Sequence, residues 1–169
     1  MTAVKMKQEE IIERLKFHEG FKLVPYRDHL GKLTIGIGRC IETNPFTKEE
    51  LRFLGDWQHG ITENAAYKLC INDINKCFSQ LNTLGSWFHN LDDERKYALL
   101  DMCFQIGFDG LKKFKNMLKN IENKDWQGAY FECLNSKYAK QDTPKRAKRI
   151  AVLLKTGHWY KYINDYKGD

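Results

Sequence analysis

Glu19, Asp28 and Thr34, separated by eight and then five residues, are the side chains whose types and spacing suit cleavage of a glycosidic bond. That reaction needs two carboxyl groups in unlike settings: one protonates the departing oxygen while the other activates water or attacks the sugar. Glu19 falls at the expected carbonyl end of a helix, where the local negative field and partial burial favour the protonated acid. Asp28 opens the turn-prone stretch Asp28-His29-Leu30-Gly31, a more open setting that favours the ionised form. The pair alone is weak evidence, because two solvated surface acids at this separation are common.

Other chemistries lack their motifs. His18, His29, His59, His89 and His158 show no H-E-x-x-H or comparable ligand spacing, so no metal and no cofactor is expected. No G-x-S-x-G elbow supports a serine esterase or amidase. Gly36 and Gly38 alternate on an expected strand, where bare backbone serves either close approach of a sugar chain or a bend in the sheet. They are no dinucleotide fingerprint, since the third Gly and a βαβ unit are missing.

The elements that must position these residues follow from periodicity. Ile11, Ile12, Leu15 and His18 lie at helical spacing over 7–18, and Gly20 is the expected stop. From Phe21 to Cys40 the pattern becomes a small β-hairpin or meander, with Leu33 to Gly38 alternating. Thr47 with Glu50 has the form of a capping box for a short helix ending near Gly55. Thr62 then caps a long helix carrying Ala66, Leu69, Cys70, Ile74, Cys77, Phe78 and Leu81. Helices are expected over 92–106, 114–121, 126–134 and 144–154, the last with Pro at its first position. The fold class is therefore α+β: mostly helical, with a small β-containing lobe (19–61), a connecting long helix (62–82) and a helical lobe (1–18 plus 83–169). These form a single catalytic domain with its cleft expected between lobes.

Of the 169 residues 42% are hydrophobic, enough for a packed core, and 28 Lys+Arg against 22 Asp+Glu give a net charge of +6. That balance favours a polyanionic partner, whether nucleic acid, anionic lipid or cell wall. Cys40, Cys70, Cys77, Cys103 and Cys133 are odd in number, lack a C-x-x-C pair and read as reduced core thiols. The start carries charges every few residues with no apolar secretory region, and nowhere do 18 apolar residues run together, so synthesis and folding in a cytoplasm are expected.

The full string, His18-Glu19-Gly20 through Asp28 to Leu33-Thr34-Ile35-Gly36-Ile37-Gly38-Arg39, resembles the phage lysozyme family, glycoside hydrolase family 24, which includes the T-even phage lysozyme. The likeness continues in Gly60-Ile61-Thr62, in Phe104-Gln105-Ile106-Gly107 with Gly110 and Phe114, in Thr143 to Arg149, and in Thr156-Gly157-His158-Trp159. The resemblance implies an endolysin that hydrolyses the β-1,4 bond between N-acetylmuramic acid and N-acetylglucosamine in peptidoglycan. Glu19 is then the proton donor, Asp28 holds or deprotonates the incoming water, and Thr34 helps place it, with inversion of configuration. It also implies that Arg146 reaches the catalytic Glu, which would oppose the helix end and burial in setting that acid's proton affinity.

Arg39 stands where the T-even member has His, and Asp73 matches its acidic partner, so an Arg39–Asp73 ion pair tying sheet to helix is expected. The substrate-binding positions implied by the family are Phe104, Gln105, Cys40, Met117, Glu132 and Tyr138. Cys40, Met117 and Glu132 replace Leu, Ser and Asn of the T-even member and Tyr138 replaces Trp, so glycan and stem-peptide details differ. The implied setting is a monomer held in the host cytoplasm that reaches the periplasmic wall once a holin opens the inner membrane. Two alternatives use the basic stretch: a nucleic-acid-binding module built on Lys145 to Arg149 with Trp159, Tyr160 and Tyr162, which leaves the Glu19–Asp28–Thr34 spacing unexplained, or contact of Lys145 to Tyr162 with anionic outer-membrane surfaces. The plain reading of that stretch is an amphipathic core helix with a solvated basic face.

Overall fold

The computed structural model describes residues 6–159, and packing divides it into two compact units, 6–76 and 77–159 among the described residues, with the division inside one long helix. In the first unit α1, Gln8–Glu19, buries Ile11, Ile12 and Leu15 and ends where Gly20, at φ 82°, turns its N–H back to the Lys16 carbonyl. A three-stranded antiparallel meander follows: β1 Lys22–Arg27, β2 Leu33–Gly36 and β3 Arg39–Cys40. The strand pattern expected over 33–38 stops at Gly36, and Ile37 and Gly38 make the turn into β3. Next comes α2, Lys48–Leu54, with a complete capping box in which Thr47 Oγ1 accepts from Glu50 N–H and Glu50 accepts from Thr47 N–H. Thr62 Oγ1 accepts from Ala65 N–H at the start of α3, Glu63–Leu81.

One face of the sheet supplies Ile35 to a core with Leu54, Ile61, Ala65, Ala66 and Leu69, and Phe21, Leu23, Ile41 and Trp57 close its margin. Each aliphatic side chain so buried stabilises the unit by about 1.5–3 kcal/mol, which lets a sheet too small to stand alone persist. α1 groups with this sheet, whereas the expectation had placed it with the later helices. The local ties are Lys16 Nζ donating to Tyr67 Oη at 3.1 Å and Phe21 stacked on Tyr67 at 5.6 Å between ring centres.

The second unit holds the end of α3, then α4 Ser86–His89, α5 Asp93–Lys112, α6 Lys115–Glu122, α7 Trp126–Leu134 and α8 Pro144–Thr156. A π-type turn spans Tyr138–Asp142. The helix expected over 92–106 stops there, at the non-helical Gly107 (φ 78°), and a further helical stretch follows across that kink to Lys112. α8 is a core helix: Ala147, Ile150, Ala151, Val152, Leu153 and Leu154 are buried. Lys145 and Lys148 stay exposed. Its last carbonyls are satisfied by Arg95 of α5, which donates to Leu154 O at 2.7 Å and Lys155 O at 3.0 Å. Its apolar face is thus covered by protein, as the core-helix reading requires; Tyr160 and Tyr162 lie outside the described residues. No helix among the described residues is long and apolar enough to cross a membrane.

Cys70, Cys77, Cys103 and Cys133 are buried and Cys40 is half-buried, and none of them is in a disulfide. Burial pushes the Cys70 and Cys133 thiols up to about 12, which makes them inert at neutral pH.

Candidate active site

Glu19 is the last residue of α1, so its backbone is fixed by the helix and its side chain stands at the end where the carbonyls are unpaired. The carboxyl lies directly against Gly38. Gly36 and Gly38 both have φ 67°, a region glycine enters freely, so the bend reading holds for both. What approaches the bare backbone at Gly38 within the chain is Glu19.

Asp28 follows β1 directly. Its Oδ1 accepts from Leu30 N–H and Lys32 N–H, both at 2.8 Å, while its own N–H donates to Lys32 O and its carbonyl accepts from Gly31 N–H. The turn is braced by Glu42, in the turn that follows β3, whose carboxylate binds Arg27 at 2.7 Å and Leu33 N–H at 3.0 Å. One carboxylate oxygen is therefore immobilised by backbone, and Oδ2 takes no hydrogen bond from the described residues.

Thr34 pairs with Tyr26 on one side and with Cys40 on the other, so these three form one row across the sheet on a common face. The Thr34 hydroxyl donates to Lys32 O at 3.0 Å. Its single proton being used, the oxygen can only accept from a third group such as water. Tyr26 is a site residue that spacing rules did not single out. Burial first, then the charges of Glu19 and Asp28, push its phenol above the ordinary value, so a neutral donor faces both acids. The available signal was its place on β1, two residues before Asp28.

Behind the sheet lies a buried charge cluster. Arg39 and Asp73 approach to 3.3 Å, so the expected pair forms, but the two parallel hydrogen bonds go to Glu50 at 2.6 and 2.9 Å. Glu50 was read only as a capping residue; its carboxylate serves cap and ion pair together because α2 packs over β3. Burial raises the Glu50 acid, yet the Arg39 guanidinium, the Thr47 N–H and Asn72 outweigh it and hold it at about 2. Asp73 receives less: burial lifts it to about 6, with the Glu50 charge adding to the rise against Arg39, Asn44 and Lys76.

Because the folded value for Asp73 exceeds the ordinary 3.8, its contribution to stability is complete below that pH and is lost as pH rises through about 6. Glu50 acts oppositely, stabilising above 4.5 and losing that contribution as pH falls towards 2. The denaturation midpoint is accordingly expected to fall from about pH 4 to about pH 6.5 more steeply in the natural protein than in Asp73→Asn. Urea titrations at four or five pH values decide this, and parallel curves would reject it.

The helical unit carries the remaining positions. Arg146 and Asp101 are buried, and Arg146 Nε donates to Asp101 Oδ1 at 2.8 Å, with Tyr97 Oη on Oδ2 at 2.9 Å. Sequence reasoning assigned Arg146 to the catalytic Glu and did not foresee Asp101, which sits 45 residues away on α5. Phe104 is partly exposed on α5. Gln105 Nε2 donates to Thr143 Oγ1 at 3.0 Å, while its buried Oε1 has no hydrogen-bond partner among the described residues.

Met117 and Glu132 meet at a recess of about 480 Å³ bordered by Phe114, Asn116, Asn135 and Ser136. Met117 is 1% exposed and Tyr138, at 4%, packs edge-on to Phe114. Both side chains are largely enclosed by protein. No cluster of three metal-ligating residues occurs among the described residues.

A family model described as "Phage lysozyme" matches residues 16–151. "Probable T4-type lysozyme 2" of Dictyostelium discoideum is 35% identical over 89% of this chain and 96% of its own length. "Probable T4-type lysozyme 1" of the same organism is 34% identical over 93% and 98%. The "Pre-baseplate central spike protein Gp5" of Enterobacteria phage T4 is 29% identical over 89% of this chain, the match occupying 28% of that protein.

Proposed function

The chain belongs to the phage lysozyme family and is a lysozyme-type glycosidase of peptidoglycan, and from that premise we propose that it cleaves the β-1,4 bond between N-acetylmuramic acid and N-acetylglucosamine with inversion. Glu19 gives its proton to the bridging oxygen as the C–O bond breaks. Water attacks the anomeric carbon from the opposite face, and its proton passes to Asp28 Oδ2. Thr34 Oγ1 accepts a hydrogen bond from the water's other O–H, which stays on the product hydroxyl, and Tyr26 steadies the charge between the two acids.

The observation that carries this reading is the asymmetry of the acids. Glu19 stands at a helix carbonyl end, which favours the proton-bearing form. Asp28 has Oδ1 held by two backbone N–H groups and Oδ2 available, and the Thr34 hydroxyl is already committed as a donor. Within the helical unit, the unsatisfied Gln105 Oε1 suits an N–H donor such as a glycan acetamido group or a stem peptide offers.

Digestion of purified peptidoglycan tests the reaction. Mass spectrometry is expected to find fragments with reducing-end muramic acid, and proton NMR of the fresh product is expected to show the α anomer. Released free peptides would indicate an amidase, and a fresh β anomer would replace the Asp28-bound water by direct attack on the sugar.

The biological setting we propose is lysis of a bacterial host from its cytoplasm after a holin opens the inner membrane. Expression in a Gram-negative cytoplasm is expected to lyse cells only when a holin is co-expressed. Lysis without one would reject holin dependence.

A further inference from the structure

A methyl group built on the Gly38 Cα would stand 2.5 Å from Glu19 Oε2, 2.7 Å from its Cδ and 2.8 Å from its Cγ. Non-bonded atoms do not approach so closely, so the end of the Glu19 side chain rests flush on the glycine. Gly36 supplies an internal comparison. It has the same φ of 67°, yet a methyl there would meet Ala66 Cβ at 3.6 Å and Ile61 Cδ1 at 3.9 Å, which is ordinary contact. Both glycines answer the same backbone demand; an acid occupies the vacated space only at Gly38. What a methyl would strike is the far end of a flexible side chain, so the damage falls on where Glu19 points more than on whether the chain folds.

We propose that Gly38 is a positioning residue: its missing side chain forms the seat that holds the Glu19 carboxyl in its working orientation. α1 fixes the Glu19 backbone, but three rotatable bonds separate that backbone from the carboxyl, and the seat removes their freedom from the β2–β3 side. The functional part of this inference rests on Glu19 being the proton donor. A misplacement of about 1 Å at a reacting group costs on the order of 100-fold in rate.

The test compares Gly38→Ala with Gly36→Ala, which share the strain of a side chain at positive φ. Gly38→Ala is expected to show kcat roughly 100-fold below Gly36→Ala, with KM within about threefold and a displaced acidic or basic limb in its pH–rate profile. Carbon-13 NMR of the Glu19 carboxyl, which needs no turnover, is expected to give a changed resonance and titration in Gly38→Ala and the natural ones in Gly36→Ala. Equal kcat in the two variants, or an unaltered Glu19 resonance in Gly38→Ala, overturns the proposal. If Gly38→Ala does not fold, the double variant with Glu19→Ala is expected to regain the Tm of Gly36→Ala, and failure to do so also overturns it. Should the natural protein leave peptidoglycan intact, the lysozyme reading falls, and the NMR comparison still decides the seat.

Discussion

Glu19→Gln is expected to lower turnover on peptidoglycan by about 10²–10⁴-fold while leaving thermal stability unchanged or slightly raised. The activity loss follows because the amide has no proton to give to the leaving oxygen. The stability effect has a separate origin: a carboxylate at the carbonyl end of α1 opposes the helix field, and a neutral amide does not. Opposite signs for the two measurements separate a chemical role from a structural one. A variant that clears permeabilised cells as fast as the natural protein would remove Glu19 from the mechanism. Asp28→Asn tests the second acid, since the amide oxygen can still accept from Leu30 and Lys32 and the turn is retained, whereas the base is gone.

The largest stability effect is expected at Arg39→Met. Arg39 and Glu50 side chains are 3% and 2% exposed, and Asp73 adds a second carboxylate to the same guanidinium. Removing one partner of a buried pair costs about 3–5 kcal/mol, because the other charge is left without compensation. Here two acids lose it, and Asn44 O loses the donor it accepts from at 2.8 Å. Without Arg39, only the Thr47 N–H and Asn72 still oppose burial at Glu50, so its folded value moves up from about 2 and the stability that Glu50 contributes above its ordinary value is expected to shrink in the variant. Adding Glu50→Gln is expected to recover part of the loss at neutral pH. Urea denaturation reads each of these, and a loss under about 1 kcal/mol, the scale of an exposed pair, would show that the cluster is solvated in solution.

Residue order alone was enough for most of the elements and for singling out Glu19 and Asp28 as candidates. The halt of α1 at Gly20, the Thr47–Glu50 capping box, the Thr62 cap and the helix beginning at Pro144 all depend on interactions within one turn of the chain. Such short-range rules survive whatever the rest of the molecule does. The Glu19–Asp28–Thr34 spacing was legible for a similar reason: helix end, turn and strand follow one another directly.

Partner choice was not legible, because it is settled by segments that meet only after folding. Arg39 gives its paired hydrogen bonds to Glu50 because α2 packs over β3, and Asp101 takes Arg146 Nε because α5 and α8 share a core. Gly36 and Gly38 look alike in the sequence and have the same φ, yet one lies against Ala66 and the other against Glu19. A residue's type and local spacing are written in the chain, whereas which of several compatible groups it touches depends on long-range packing, where burial strengthens every charge interaction it encloses.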